Sequence, residues 1–282
     1  MAFNLQTFRT RTITSFIFIA VMLTGLLFNQ WSFLLLFSII HFGAWFEYQK
    51  IIGLIDSIYK KINPFHKYTV MLAGWGFMLW RCDASFVLAS IPVQQIGFWL
   101  MLSCIVAFPL SEFLLGGKAM LKTIGYSFLG LIYISLPWGL MMDLYTITIE
   151  WKIPLVIIIV IWMNDTMAYL VGSMIGRTPL SKISPKKTWE GTLGGIILSL
   201  ATICVFYYHE EKAITAPIII IALIASITGT LGDLLESKLK RMADIKDSGS
   251  FMPGHGGFLD RFDSLLVATT CAWIYLKIAD IL

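Results

Sequence analysis

The side chains able to do chemistry are concentrated between Gly232 and Asp263, in the stretch GDLLESKLKRMADIKDSGSFMPGHGGFLDRFD. In a chain that is 57% hydrophobic and 13% charged, this one stretch holds Asp233, Glu236, Lys238, Lys240, Arg241, Asp244, Lys246, Asp247, His255, Asp260, Arg261 and Asp263. Asp233 and Glu236 stand three apart at the end of one apolar run, and Asp260 and Asp263 stand three apart at the start of the next. In helices, each pair shares a face. The Gly-, Ser- and Pro-containing connector would turn the two helix ends toward each other. A hard divalent cation such as Mg²⁺ is held by one or two carboxylates together with substrate phosphates, and basic side chains suit the phosphates themselves. A solvated loop with surface ion pairs accounts for the Lys and Arg, but not for three Asp abutting apolar helices.

Two further groups carry chemistry. Asn164-Asp165 lies in the middle of the apolar run IVIWMNDTMAYLVG. An ionisable residue at membrane depth is costly unless partnered, so it marks either a functional site or a helix-to-helix polar contact. The segment SPKKTWEG offers Ser184, Lys186, Lys187, Thr188 and Glu190 just before Gly191, Gly194 and Gly195. Lysines and hydroxyls at a helix start can hold a phosphate through charge and free backbone N–H groups. A basic loop drawn to anionic headgroups is the alternative. Of the four histidines, His41, His66 and His209 read as structural or solvated. His255, in Pro-Gly-His-Gly-Gly just before Asp260, can set an imidazole and several N–H groups against a phosphate.

These groups must be positioned by membrane helices. At 282 residues and a mean hydropathy of +0.79 the chain is too apolar for a soluble domain, and its repeated apolar runs match the span of a bilayer core. The fold expected is all-α and polytopic, with spans near 12–29, 31–50, 67–91, 95–111, 121–144, 153–176, 189–208, 215–236 and 258–281. The third is interrupted by Trp80-Arg81-Cys82-Asp83 and can end there, and eight spans are the alternative count. With nine spans and a cytoplasmic N-terminus, 17 of the 21 Lys and Arg fall on the cytoplasmic side, the bias of a correct topology. The basic start followed by an apolar run without a small-residue cleavage site reads as an uncleaved first helix. Residues 1–150 are expected to form the N-terminal and middle helices, facing lipid and supplying any dimer contact, and 151–282 the catalytic region. Cys82, Cys104, Cys204 and Cys271 are scattered singly and form neither a disulfide framework nor a metal site.

The run from Ser237 through Lys240-Arg241, Lys246-Asp247, Gly249, Pro253, His255-Gly256-Gly257, Asp260-Arg261 and Asp263 resembles the signature of the phosphatidate cytidylyltransferases, also called CDP-diacylglycerol synthases. Asn164-Asp165 with Ala168-Tyr169 and Gly172, Ser184-Pro185 with Lys187-Thr188 and Glu190-Gly191, and Gly232-Asp233 with Glu236-Ser237 resemble three further motifs of that family, in its order. The resemblance covers roughly 160–265 strongly. Met252 departs conservatively from the family's Leu, Ile or Phe.

The resemblance implies transfer of the cytidylyl group of CTP to phosphatidic acid, with release of pyrophosphate and formation of CDP-diacylglycerol. It implies dependence on Mg²⁺ and leaves room for a second cation such as K⁺. Carried over by position, Asp233, Asp260, Asp263, Asp165 and Glu236 are the metal candidates. Lys187 joins Asp233, Asp260, Asp263 and Asp165 as catalytic. Ser184, Lys186, Lys187, Thr188, Glu190, Lys240, Arg241, His255, Gly256, Gly257 and Arg261 are the candidates for holding substrate. The expected partners are CTP, phosphatidic acid, membrane lipid and a second copy of the chain, with no nucleic acid, and the expected place is the inner membrane with the site facing the cytoplasm. Rival readings are a CTP-dependent lipid or polyprenol kinase and an ion-coupled transporter. The Asp-Gly-x-x-Ala-Arg pattern of CDP-alcohol phosphotransferases is absent.

Overall fold

The computed structural model describes residues 5–115, 119–147, 152–211, 216–251 and 256–280. Among these the chain is a succession of helices: α1 (Leu5–Leu27), α2 (Gln30–Ile55), the single turn α3 (Ser57–Lys60), α4 (Pro64–Trp80), α5 (Val93–Leu115), α6 (Met120–Gly130), α7 (Leu136–Ile147), α8 (Lys152–Ile175), α9 (Trp189–Glu211), α10 (Ala216–Met242) and α11 (Leu259–Ile278). A π-helical turn, Leu131–Ser135, joins α6 to α7, so that Met120–Thr146 runs as one continuous helix. The described β-structure comprises the two-residue strands β1 (Val87–Leu88) and β2 (Ile91–Pro92) and an isolated bridge between Pro179 and Thr188.

The protein is an all-α, polytopic membrane protein. By length and composition six described helices can cross a bilayer: α2, α5, Met120–Thr146, α8, α9 and α10. The apolar part of α1 is shorter, Thr12–Leu27, and the opening turns of α11 carry Asp260, Arg261 and Asp263. The third expected span is corrected. It ends at Trp80, because Arg81 turns to pair with buried Asp143 at 2.5 Å and Asp83 accepts the Ser85 N–H at 2.8 Å, leaving residues 81–92 to the turn and the β1–β2 ladder.

Two compact units divide the chain: Met1–Thr146 with Met242–Arg261, and Ile147–Arg241 with Phe262–Leu282. The connector after α10 therefore groups with the N-terminal helices. In the first unit the sequence sets the helix starts. Asn29 and Ser32 form a reciprocal capping box on α2, Asp56 caps α3, and Asn63 with Pro64 opens α4, each supplying an acceptor to N–H groups a helix end leaves unpaired. Two clusters of buried polar side chains are bonded internally. His41 and Trp45 meet at the Ser135 hydroxyl, at 3.1 and 2.9 Å, and His66 bridges Glu112 and Ser127 at 2.8 and 2.7 Å. Both histidines are structural, and all four cysteines are free thiols.

The second unit packs α8, α9, α10 and α11 closely through small residues, as helices in lipid do. A methyl group at Gly195 of α9 would lie 2.7 Å from the Asn164 carbonyl oxygen and 2.9 Å from the Ala168 Cβ of α8. Asn164 in turn donates to Thr230 of α10 at 3.3 Å, and Ser199 of α9 meets Ser226 of α10 at 3.0 Å. Gly195→Val must push α8 and α9 apart, and overpacking of this kind costs about 1–3 kcal/mol. A fall in melting temperature followed by tryptophan fluorescence in detergent is the expected outcome; an unchanged value would mean that the two helices separate freely.

Candidate active site

The second unit draws acidic and basic side chains from three helices and a loop. On α10, Asp233 and Glu236 occupy one face, and Glu236 is completely buried. Lys240, one turn on, pairs with Glu236 at 2.5 Å. On α11, Asp263 is also buried, and its backbone carbonyl packs so tightly on Gly232 that a methyl group there would stand 2.5 Å from the oxygen. That contact brings the Asp263 carboxyl within electrostatic reach of Asp233, Glu236 and Asp165. On α8, Asn164 is buried and Asp165 is exposed.

The loop between α8 and α9 completes the group. It is a tight hairpin, closed by Leu180 N–H to the Lys187 carbonyl at 2.7 Å and Trp189 N–H to the Thr178 carbonyl at 2.9 Å. Glu190 clamps it, accepting the N–H groups of Arg177 and Thr178 at 3.1 Å and the Thr178 hydroxyl at 2.8 Å. Thr188 caps α9, its hydroxyl accepting the Gly191 N–H at 3.1 Å, while the Ser184 carbonyl accepts from Lys187 N–H at 3.1 Å. So held, the loop delivers the Lys187 ammonium to Asp233 as an ion pair. Lys186 and, on α10, Arg241 are exposed.

In the first unit, the signature connector is organised around two carboxylates. Asp260 accepts at one oxygen from Ser248 N–H, the Ser248 hydroxyl and Gly257 N–H, all at 2.8 Å. Glu47, buried in α2, accepts Phe258 N–H and Leu259 N–H at 2.9 Å and the Ser248 hydroxyl at 2.7 Å. It thus takes up N–H groups at the start of α11, where a carboxylate is also favoured by the helix dipole. Glycine is required beside it: a methyl group at Gly249 or Gly257 would fall 2.1 or 2.2 Å from the Glu47 carboxylate. Gly256 has φ +85°, a conformation that glycine adopts without strain, and it lies against Asp260. Arg261 is exposed. His255 lies outside the described residues, as do Met252 and Pro253.

Of the residues singled out in the sequence, one unit therefore brings together Asp165, Asp233, Glu236, Asp263, Lys187 and Lys240, whereas Asp260, Gly256 and Gly257 belong to the folded connector of the other. Glu190 and Thr188 act on the loop that carries Lys187. Glu47 escaped sequence reasoning. Among the described residues no three His, Cys, Asp or Glu side chains converge as a ready-made metal cluster, and Asp233 and Glu236 each pair with a lysine. The donor set nonetheless fits a hard cation. Asp165, Asp233, Glu236 and Asp263 offer carboxyl oxygens within electrostatic reach of one another, and oxygen donors are what Mg²⁺ takes.

Fold and site define a polytopic α-helical membrane protein whose C-terminal helices gather partly buried carboxylates and lysines. The chain belongs to the Cytidylyltransferase family, whose model matches residues 9–279. It is similar to phosphatidate cytidylyltransferase of Bacillus subtilis (strain 168), 48% identical over 110 residues, which are 38% of this chain and 41% of that protein. Phosphatidate cytidylyltransferase of Staphylococcus aureus (strain COL) is 46% identical over 110 residues, 38% of this chain and 42% of the relative. The chloroplastic phosphatidate cytidylyltransferase 4 of Arabidopsis thaliana is 44% identical over 115 residues, 40% of this chain and 29% of the relative. These matches thus span less than half the length of each relative.

Proposed function

We propose that this protein transfers the cytidylyl group of CTP to phosphatidic acid, giving CDP-diacylglycerol and pyrophosphate. The observation that carries this reading is the meeting of Asp165, Asp233, Glu236 and Asp263 with Lys187 and Lys240 in a chain of the cytidylyltransferase family. An oxygen of the lipid phosphate bonds to the α-phosphorus of CTP as the bond to the bridging oxygen of the β-phosphate breaks, and pyrophosphate leaves with that electron pair. A phosphate monoester, with a second pKa near 6, is largely dianionic at neutral pH, so no strong general base is needed. The obstacle is repulsion between two anions.

The residues answer that obstacle. Asp165, Asp233, Glu236 and Asp263 would hold Mg²⁺, with Asp260 one turn before Asp263 on α11 as a further candidate, and the site would leave room for a second cation such as K⁺. When bound, Mg²⁺ draws off negative charge from the phosphate oxygens. Lys187 and Lys240, which stand beside Asp233 and Glu236, would neutralise the triphosphate. Lys186, Arg241 and Arg261 add charge, while Ser184, Gly256, Gly257 and His255 supply hydrogen bonds to phosphate. Glu190 and Thr188 keep the Lys187 loop closed. The acyl chains stay in lipid, the site faces the cytoplasm of an inner membrane, and the protein works as a homodimer.

Purified protein supplied with phosphatidic acid and CTP labelled at either the α- or the γ-phosphate tests this. The α-label is expected in lipid, with equimolar pyrophosphate and complete loss on chelation. Lipid carrying the γ-label would instead make the protein a CTP-dependent lipid kinase, and ion flux across proteoliposomes without CTP consumption would make it a transporter.

A further inference from the structure

A cleft of about 450 Å³ opens in the first unit where the end of α2 meets α3 and the start of α4. Its charged lining is Lys50, Lys60 and Lys67, its apolar lining includes Phe46 and Leu54, and Tyr68 stands at its side. The volume lies within the roughly 300–1,000 Å³ of small-molecule sites.

Backbone contacts place the three lysines along the one cleft. Lys67 donates to the Lys60 carbonyl at 3.2 Å, and Gln49 donates to the Lys67 carbonyl at 3.0 Å. A methyl group at Gly53 would meet the Lys60 Cα at 3.4 Å, so α3 lies close on α2. No acidic residue lines the cleft. The acids nearest in sequence are engaged elsewhere: Asp56 with Lys122 at 2.6 Å, Glu47 with the start of α11. Three lysines therefore line one concavity without a carboxylate in ion-pair range among the described residues, an arrangement that attracts an anion.

A soluble phosphate would satisfy the lysines and leave the other wall wet. Phe46, Leu54 and Tyr68 are 53, 49 and 55% exposed, and the cleft sits at one end of the membrane-spanning helix α2, where Lys side chains meet headgroups. A ligand with a phosphate at one end and hydrocarbon at the other matches both walls. We propose that this cleft binds an anionic phospholipid, its phosphate held by Lys50, Lys60 and Lys67 and its chain lying along Phe46 and Leu54. The site uses none of the residues assigned to cytidylyl transfer and does not depend on that assignment.

Native mass spectrometry of the detergent-solubilised full chain, titrated with phosphatidylglycerol or with zwitterionic phosphatidylcholine, tests it. The parent is expected to hold phosphatidylglycerol preferentially, and the combined Lys50→Gln, Lys60→Gln, Lys67→Gln variant to bind it about a hundredfold more weakly, on about 1 kcal/mol per lysine near a headgroup. Leu54→Glu, which places a carboxylate on the exposed wall and leaves every lysine in place, is expected to weaken binding as well and serves if the triple variant does not fold. Inorganic phosphate or CTP added in excess is expected not to displace the lipid. Equal retention by parent and variants overturns the proposal, and so does displacement by soluble phosphate, which would make the cleft a site for a free anion.

Discussion

Asp263→Asn is expected to lower the proposed cytidylyl transfer by at least about a hundredfold, the scale on which removal of one preorganised electrostatic group acts. Asp263 is buried at the start of α11 within reach of three other carboxylates, so a single change of oxygen to amide removes one of four carboxyl groups with almost no change of shape. The sign of the stability change separates loss of a cation site from simple damage. With chelator present the variant should be at least as stable as the parent, because a neutral amide replaces a buried carboxyl that faces Asp165, Asp233 and Glu236. Added Mg²⁺ should then raise the melting temperature of the parent, since a ligand bound only to the folded state stabilises it, and leave the variant nearly unmoved. Melting curves followed by tryptophan fluorescence, with and without Mg²⁺, read both effects. An equal Mg²⁺ shift in parent and variant would remove Asp263 from the cation site.

The sequence reveals a good deal of this arrangement, and the part it conceals has a common cause. The apolar segments announce themselves by length, and the end of the third is marked by Arg81 and Asp83, two charges that pair with Asp143 and the Ser85 N–H. The stretch from Gly232 to Asp263 stands out because charge is so sparse elsewhere. What composition leaves open is the direction each charge faces. Glu190 belongs to a basic, hydroxyl-rich loop and could equally face a phosphate or the loop's own backbone; the hairpin closure turns it to Arg177 and Thr178. Lys187 and Asp233 lie on different motifs and meet only because α8, α9 and α10 pack closely. Glu47 is the strongest case. Its three donors are 201 to 212 residues away, beyond any local periodicity. The one local sign was a carboxylate within the apolar run FGAWFEYQK, which must be partnered at that depth, with Gly43 a turn earlier on the same helix face.

That residue supplies the second large effect. Glu47→Ala deprives the N–H groups of Phe258 and Leu259 of their acceptor, and each buried donor left unsatisfied costs about 1–3 kcal/mol. Ser248 remains bonded to Asp260, so the connector should loosen at the start of α11 without the whole protein unfolding. Amide exchange in peptides covering Ser248 to Asp260 is then expected to quicken at least about tenfold, one factor of ten for each 1.4 kcal/mol, while peptides from α8 and α9 keep their rates. Cytidylyl transfer should fall at least about tenfold, because α11 carries Asp260 and Asp263 from that start. Glu47→Gln distinguishes charge from shape. Its single carbonyl oxygen can serve Phe258 or Leu259, but its amide turns a donor toward the other N–H, so exchange should lie between parent and Ala. Glu47→Asp, one methylene shorter, should resemble Ala because the carboxylate no longer reaches across the gap left open by Gly249 and Gly257. Parent-like exchange in all three variants would mean that the start of α11 is held by its own helix and by Asp260, with Glu47 a bystander.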